Sequence, residues 1–133
     1  MNMTSEQIAQ GVAKSFVAAF NQQDAEAVAD TFNFPHIRLA NGRFAHIESA
    51  ERFVANQNLV RDSLKAENWH HTLLVSSKVV HCGEESGEEK VHLAVTFHRC
   101  HENGEVYKRT DSLWIVTRLD DHWGIQFRSS YLI

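Results

Sequence analysis

Hydrophobic residues recur at two different spacings along the chain, and the change in spacing separates a helical region from a strand region. In the first region, Val12, Phe16 and Phe20 lie at the spacing of one helix face. Two further helical segments are predicted after suitable capping residues: 25–32 after Asp24, and 50–68 after Ser49.

After residue 68 the hydrophobic residues alternate with polar ones, which is typical of strands. Four strands are predicted in this region, over residues 69–82, 90–101, 105–119 and 122–133. An earlier hairpin is predicted around Asn41-Gly42, because this dipeptide is a strong two-residue turn signal. Three N-terminal helices and a long meander predict an α+β fold, with the helices packed on one face of a strongly curved, mostly antiparallel sheet.

Register along these strands decides which polar side chains face the helices, because a shift of one residue moves every side chain to the other face. Leu113 and Ile115 are assigned to the core face, which requires a three-residue Glu-Asn-Gly turn before the strand. Asp111 then faces Val95 on one side and Tyr131 on the other. This register predicts a polar cluster at the open end of a cone-shaped sheet: Arg99, Tyr107, Arg109, Asp111, Ser129 and Tyr131.

The opposite face of the sheet mixes small polar groups with one large aromatic side chain. Tryptophan and arginine are frequent anchors of protein interfaces, so this outer face predicts a homodimer. The expected interface residues are Trp114, Arg128, His98, Ser112 and Gln126. The alternative is a solvated sheet face on which one tryptophan is tolerated.

Composition narrows the classes of partner. The chain has 133 residues, which suits a single domain over residues 1–133, and its net charge of -4 provides no basic field for nucleic acid or an anionic membrane. It shows neither a membrane-spanning apolar run nor an N-terminal targeting pattern, so a cytoplasmic location is expected. Cys82 and Cys100 fall near opposite ends of the predicted strands, and the nine histidines do not converge, so we expect no disulfide, metal or cofactor.

Three segments of the chain resemble a known superfamily: VAKSFVAAFNQQDAEAVADTF (12–32), FPHIRLANGRF (34–44) and LWIVTRLDDHWGIQFRSSYL (113–132). They are similar to the opening helix pair, the following hairpin and the closing strands of the nuclear transport factor 2-like superfamily, and within it the SnoaL-like group of small bacterial proteins. The resemblance implies a conical cavity between the helices and the concave sheet, and commonly dimers. It does not select an activity, because this fold hosts dehydratases, isomerases, cyclases, epoxide hydrolases and binding proteins.

The resemblance also suggests roles for individual residues. Arg109 and Asp111 match one strand of the epoxide hydrolase sites, but the neighbouring strand lacks their second acid. The first helix lacks the tyrosine of the ketosteroid isomerases. Asp111 corresponds to the acid or base of SnoaL-like cyclases, and His36 or His71 could pair with it as in scytalone dehydratase-like sites.

From these residues we expect a cavity protein that binds a small, mostly apolar organic molecule. Its enzymatic form is cofactor-independent acid–base chemistry of the dehydratase, isomerase or cyclase type, with Asp111 transferring the proton and His71 or His36 as its partner. The residues expected to contact the ligand are Arg99, Arg109, Tyr107, Tyr131, Ser129, Arg38, Phe16 and Phe20. The alternative is a noncatalytic ligand-binding or dimerising accessory protein.

Overall fold

Helices and strands follow one another in nearly the order that the hydrophobic pattern predicts. The computed structural model of the protein describes residues 2–83 and 88–132. The elements are α1 (Ser5–Asn21), α2 (Ala25–Asp30), β1 (Phe32–Ala40), β2 (Arg43–Ile47), α3 (Ala50–Ala55), α4 (Gln57–Ala66), β3 (His71–Cys82), β4 (Lys90–Cys100), β5 (Val106–Leu119) and β6 (His122–Leu132). The predicted α+β fold is confirmed. Within the described ranges, none of the helices is both long and apolar enough to cross a membrane.

Side-chain caps define where the helices begin. The Thr4 hydroxyl accepts a hydrogen bond from the backbone N–H of Gln7, and the Gln7 side-chain oxygen accepts one from the backbone N–H of Thr4. Asp24 and Ser49 cap α2 and α3, as the sequence predicts. The third predicted helix is interrupted at Asn56, whose backbone angles (φ -96°, ψ 3°) leave the helical range and divide the segment into α3 and α4.

The six strands form one sheet in the order β2-β1-β6-β5-β4-β3. β1 runs parallel to β6, and the other neighbouring pairs are antiparallel. The turn between β1 and β2 uses Asn41 and Gly42 at positive φ (55° and 70°), the left-handed angles that this dipeptide favours. β3 and β4 pair as the predicted hairpin, and residues 84–87 of its connection lie outside the described residues.

The register of β4 against β5 differs by one residue from the prediction. Val95 pairs with Ser112, whereas the predicted register paired it with Asp111. The pairing skips Tyr107, which forms a bulge close to the turn. This extra residue reverses the face of every later residue of β5 relative to β4. The pairing of β5 with β6 is as predicted, with Asp111 opposite Tyr131.

Burial explains why the chain adopts this register. Trp114 is 1% exposed, whereas Leu113 and Ile115 on the other face are half-buried. An indole ring buries more apolar area than an aliphatic side chain, so the face that carries Trp114 gains more from packing.

The shifted register exchanges the two faces of β5 and β6 relative to β4. Four members of the predicted polar cluster lie on the outer face, away from the helices: Arg109, Asp111, Ser129 and Tyr131. Three residues predicted for an outer interface lie on the inner face: Ser112, Trp114 and Arg128. The predicted placement of all seven residues is therefore wrong.

Small residues on α1 allow this helix to lie close to the inner face of the sheet. Ala9 and Ala13 are fully buried, and the ring of Phe16 meets the indole of Trp114 edge-to-face with centroids 5.1 Å apart. The remaining buried core residues are Val17, Ala19, Val28, Ala29, Phe32, Phe53, Val91, Leu93, Val95, Val116 and Ile125. The core thus lies between the first three helices and the inner face of the central strands.

Gly124 marks the place where β1 first meets β6. A Cβ atom at this position would lie 2.6 Å from the carbonyl carbon of Phe32 and 2.8 Å from the amide nitrogen of Asn33. The backbone N–H of Ile125 donates to the carbonyl of Thr31 at 2.8 Å beside this contact. Because the crowded atoms belong to the backbone, close approach of the two strands requires glycine at this position.

Replacing Gly124 with alanine should lower the free energy of unfolding by about 2 kcal/mol, as expected for overpacking against atoms that cannot move aside. Gly11→Ala is the matched control, because Gly11 is exposed within α1 and an added methyl group would contact nothing. This control should instead raise the free energy of unfolding by about 0.5–1 kcal/mol. Urea denaturation followed by circular dichroism measures both, and a stabilising Gly124→Ala would contradict the steric argument.

Candidate functional site

A cavity of about 320 Å³ lies between the helices and the inner face of the sheet. Its apolar lining residues are Phe16, Val17, Phe20, Val28, Phe32, Phe53, Leu59, Val60, Leu64, Phe97 and Trp114. Several of these rings contact one another: Phe16 stacks on Phe32 with centroids 5.5 Å apart, and Phe97 lies 6.2 Å from Trp114. The cavity therefore has a largely aromatic wall and the size of a small ligand site, for which volumes of roughly 300–1,000 Å³ are usual.

Four cationic side chains and one carboxylate also line the cavity: Arg38, Arg99, Lys108, Arg128 and Glu67. The cations project from paired strands. Arg38 of β1 is opposite Arg128 of β6, and Arg99 of β4 is opposite Lys108 of β5. The described lining therefore carries a surplus of positive charge.

Glu67 neutralises one part of this cationic wall. Its carboxylate accepts hydrogen bonds from the Tyr107 hydroxyl at 2.8 Å and from Nη1 of Arg99 at 3.1 Å, and it lies 3.6 Å from Nζ of Lys108. Burial acts to raise the pKa of Glu67, but the bond from Tyr107 and the charges of Arg99 and Lys108 together hold that pKa below its ordinary value. Burial and the bond to Glu67 raise the pKa of Tyr107. Glu67 is thus a fixed counter-charge at neutral pH.

His36 is held in one tautomer beneath the cavity wall. The side chain is 0% exposed, and its ring stacks on Phe32 with centroids 3.9 Å apart. Its Nδ1 lies 2.8 Å from the carbonyl oxygen of Ile125, and because a carbonyl only accepts, Nδ1 carries the proton. Its Nε2 accepts a hydrogen bond from Nε of Arg128 at 3.0 Å. Burial, and after it the charge of Arg128, lower the pKa of His36 to about 3, so the ring is neutral at physiological pH.

The neutral His36 ring orients Arg128. The guanidinium carbon of Arg128 lies 5.3 Å and 4.8 Å from the ring centroids of Phe16 and Phe32, within the range of cation–π contacts. Burial and the charge of Arg38 lower the pKa of Arg128 to about 9, which leaves it protonated at neutral pH. In the part of the chain that the structure describes, the terminal nitrogens of Arg128 have no hydrogen-bond partner.

Four of the residues predicted to contact a ligand line the cavity: Phe16, Phe20, Arg38 and Arg99. Tyr107 lies beside the cavity and reaches it through its hydrogen bond to Glu67. His36 lies behind Arg128 and is not brought near Asp111, so the predicted His36–Asp111 pair does not form.

Asp111 lies outside the cavity, so the cluster predicted around it is not assembled. Its carboxylate accepts a hydrogen bond from the Thr96 hydroxyl at 2.8 Å and lies 3.8 Å from Nε of Arg109 on the outer face. The Asp111 side chain is 60% exposed. His71 faces away from the cavity as well, because its neighbour Thr72 provides the lining at this point of β3.

The predicted dimer-interface residues are dispersed over both faces. Trp114 and Arg128 line the cavity, and Ser112 is buried beneath it. Gln126 is hydrogen-bonded to neighbouring strands. His98 lies on the outer face, as predicted for it.

Sequence reasoning missed the cavity positions of Glu67, Lys108, Trp114 and Arg128. The alternation in β5 contained part of the signal, because Lys108 and Trp114 share a face and burying the tryptophan brings the lysine inward. Pairing with β6 would then have placed Arg128 beside them. Nothing in the sequence marks Glu67, since its position depends on where α4 ends.

Among the described residues, neither a cluster of metal ligands nor a disulfide is present. Within residues 2–83 and 88–132, no group of three or more His, Cys, Asp or Glu side chains is arranged to hold a metal ion. Cys82 and Cys100 are free thiols. In the β3–β4 register Cys82 is opposite Val91 and Cys100 is opposite His71, so the two thiols lie near opposite ends of β4.

A family model described as NTF2-like protein (DUF6841) matches residues 4–128 of the chain. No curated protein shows significant sequence similarity to it. Among solved structures, a Nostoc punctiforme protein of unknown function with a cystatin-like fold superposes with a TM-score of 0.75 at 10% identity, covering 100% of this chain and 96% of that one.

Two further structures show the same fold. A ketosteroid isomerase-like protein from Erwinia carotovora atroseptica has a TM-score of 0.70 at 14% identity and covers 99% of this chain and 98% of its own. An NTF2-like protein from Cytophaga hutchinsonii has a TM-score of 0.70 at 12% identity and covers 98% of this chain and 100% of its own. Identities this low establish the fold alone.

The buried, neutral His36 should make the protein less stable in acid. Its pKa is about 3 in the folded chain against an ordinary 6.5, so between these pH values the unfolded chain binds a proton that the folded chain does not. Stability should therefore fall as the pH drops below about 6.5, by up to about 1.4 kcal/mol per pH unit from this residue.

In the His36→Gln variant, the slope of unfolding free energy against pH between 4 and 6 should be shallower by about 1 kcal/mol per pH unit. Urea denaturation at each pH measures the slope, which is independent of any general loss of stability. His46→Gln, at an exposed position, is the control and should keep the slope of the unmodified protein. Equal slopes for His36→Gln and His46→Gln would contradict the neutral state of His36.

Proposed function

Because the chain belongs to the NTF2-like protein family DUF6841, we propose that its cavity binds a small, mostly apolar organic molecule. The observation that carries this proposal is the aromatic lining of a cavity of about 320 Å³. Apolar and aromatic walls with a few polar groups are the usual composition of small-molecule sites.

Exposed apolar residues at the edge of the cavity add support. Leu59 and Val60 of α4 line the cavity, yet they are 73% and 37% exposed to solvent. A ligand between α4 and the sheet would remove apolar surface from water, which is favourable. The cavity is therefore suited to a molecule that contacts α4 on one side and the aromatic rings on the other.

Binding without catalysis is the form of this function that the cavity chemistry favours. Among the described lining residues the carboxylate is Glu67, and its pKa is held low by Tyr107, Arg99 and Lys108 despite burial. A general acid or base works best when its pKa is near the operating pH. Asp111, the predicted proton-transfer residue, is exposed on the outer face.

A bulky side chain placed in the cavity should block binding. Naphthamide, a neutral two-ring amide, is a suitable probe, and calorimetric titration measures its affinity. Ser63→Trp introduces a ring from an exposed position of α4 that lines the cavity, and it should weaken binding at least about tenfold.

Asp62→Trp is the matched control, because Asp62 is the exposed neighbour of Ser63 in α4 but is not part of the lining. It should bind naphthamide as the unmodified protein does. Equal binding by the two variants would place the site elsewhere. If the unmodified protein bound neither naphthamide nor the corresponding acid, naphthoate, at millimolar concentration, the proposed function would be contradicted.

We also propose that a second copy of the chain covers the outer face of the sheet. The helices lie on the inner face, and the outer face presents exposed or half-buried apolar residues in adjacent strands: Ile37, Leu39, Phe44, Leu113, Ile115 and Phe127. Arg109 and Asp111 are exposed together at one end of this face. A two-fold related copy can place Arg109 of one chain opposite Asp111 of the other, so the face is complementary to itself in charge.

A charge in the centre of this face should separate the two copies. Leu113→Glu buries a carboxylate in the proposed interface and should give monomers in sedimentation velocity. Leu59→Glu, an equal change at an exposed position of α4, should leave the dimer intact. An unchanged dimer with Leu113→Glu would rule out this interface.

A further inference from the structure

Two guanidinium groups in the cavity wall have no counter-charge among the described residues. Arg38 and Arg128 are opposite each other in the β1–β6 pair, and both line the cavity. The lining carboxylate, Glu67, is already engaged by Arg99 and Lys108. Like charges opposite each other in a sheet repel, and charges removed from water are normally paired. An anion bound between Arg38 and Arg128 would remove this imbalance.

We propose that Arg38 and Arg128 form a carboxylate seat, and that the ligand is a small aromatic or alicyclic carboxylic acid bound as its anion. This inference rests on the proposed function, because it names the class of molecule that the cavity would hold. A carboxylate matches the fork of a guanidinium group in a planar, two-point hydrogen-bonded pair.

Arg128 is already oriented for such a pair. Its Nε–H is donated to Nε2 of His36, and the ring of His36 is fixed by the bond from Nδ1 to the carbonyl of Ile125. The two terminal nitrogens of Arg128 are the part of the fork left for a ligand. Because the group is positioned before binding, little side-chain entropy remains to be lost. His36 is thus a positioning residue that acts through Arg128.

Trp114 provides an independent indication of a missing acceptor. It is 1% exposed, and within the described part of the chain its Nε1–H has no hydrogen-bond partner. It lines the cavity and is opposite Arg128 in the β5–β6 pair. A buried donor without an acceptor is costly. Because Nε1 is buried, an oxygen of the ligand would accept from it only after a shift of the indole ring, and that bond would recover the loss.

The surroundings of the seat favour a carboxylate over a phosphate. The donors at the seat are the guanidinium group of Arg38, the terminal nitrogens of Arg128 and the indole N–H of Trp114. Nε of Arg99 is also without a partner among the described residues, but the Arg99 guanidinium is already paired with Glu67. The rings of Phe16 and Phe32 lie against Arg128 and offer no donors for further anionic oxygens. A monoanion attached to a ring fits both the charge and the aromatic wall.

The test compares naphthoate with naphthamide, which have the same ring system but differ in charge. Calorimetric titration of the unmodified protein should show at least about tenfold tighter binding of naphthoate, the effect expected of a charge-assisted hydrogen bond. Arg128→Met and Arg38→Met should each lower the ratio of naphthoate affinity to naphthamide affinity. His36→Phe should also reduce the preference, since it removes the acceptor that orients Arg128.

Arg109→Met is the matched control, because Arg109 is exposed on the outer face, and it should keep the preference of the unmodified protein. Equal affinity of the unmodified protein for the two probes would overturn the carboxylate seat and leave the proposed function standing. A preference for naphthoate that survives both Arg128→Met and Arg38→Met would overturn it too. If the unmodified protein bound neither naphthoate nor naphthamide, the proposed function itself would be contradicted.

Discussion

Trp114 packs its indole edge-to-face against Phe16 of α1, and this contact fixes which side of β5 is turned toward the helices. Strand side chains alternate, so burying this one residue also brings Lys108 inward and leaves Asp111 in solvent. The β5–β6 pairing then carries the same choice to Arg128. The charge of the cavity is therefore a consequence of how the largest fully buried side chain is packed.

Features that depend on a few neighbouring residues were predictable from the sequence. The caps at Asp24 and Ser49 and the turn at Asn41-Gly42 each rest on short-range hydrogen bonds or backbone angles. The register of β5 could not be settled in this way, because the bulge at Tyr107 reverses the faces while leaving the hydrophobic pattern unchanged. Both faces of β5 carry apolar residues, so alternation alone did not distinguish them.

His36 shows why a residue type is a weak guide to its role. A histidine near a predicted carboxylate indicates acid–base chemistry, and this is the role that the sequence predicts for His36. In the structure the ring is enclosed by Phe32 and Arg128, and burial lowers its pKa to about 3, far from the range useful for proton transfer at neutral pH. His36 instead orients Arg128. This role depends on contacts between β1 and β6, whose residues are far apart in the sequence.

The break at Asn56 makes α4 a separate helix from α3. α4 supplies one wall of the cavity, yet of its ten residues only Leu64 is buried. Substitutions at Leu59, Val60 or Ser63 would change the shape of the entrance with little effect on the core. Under the proposed function, the residues that would select the ligand are thus separate from those that maintain the fold, so selectivity could evolve along one helix while the sheet and Arg128 stay the same.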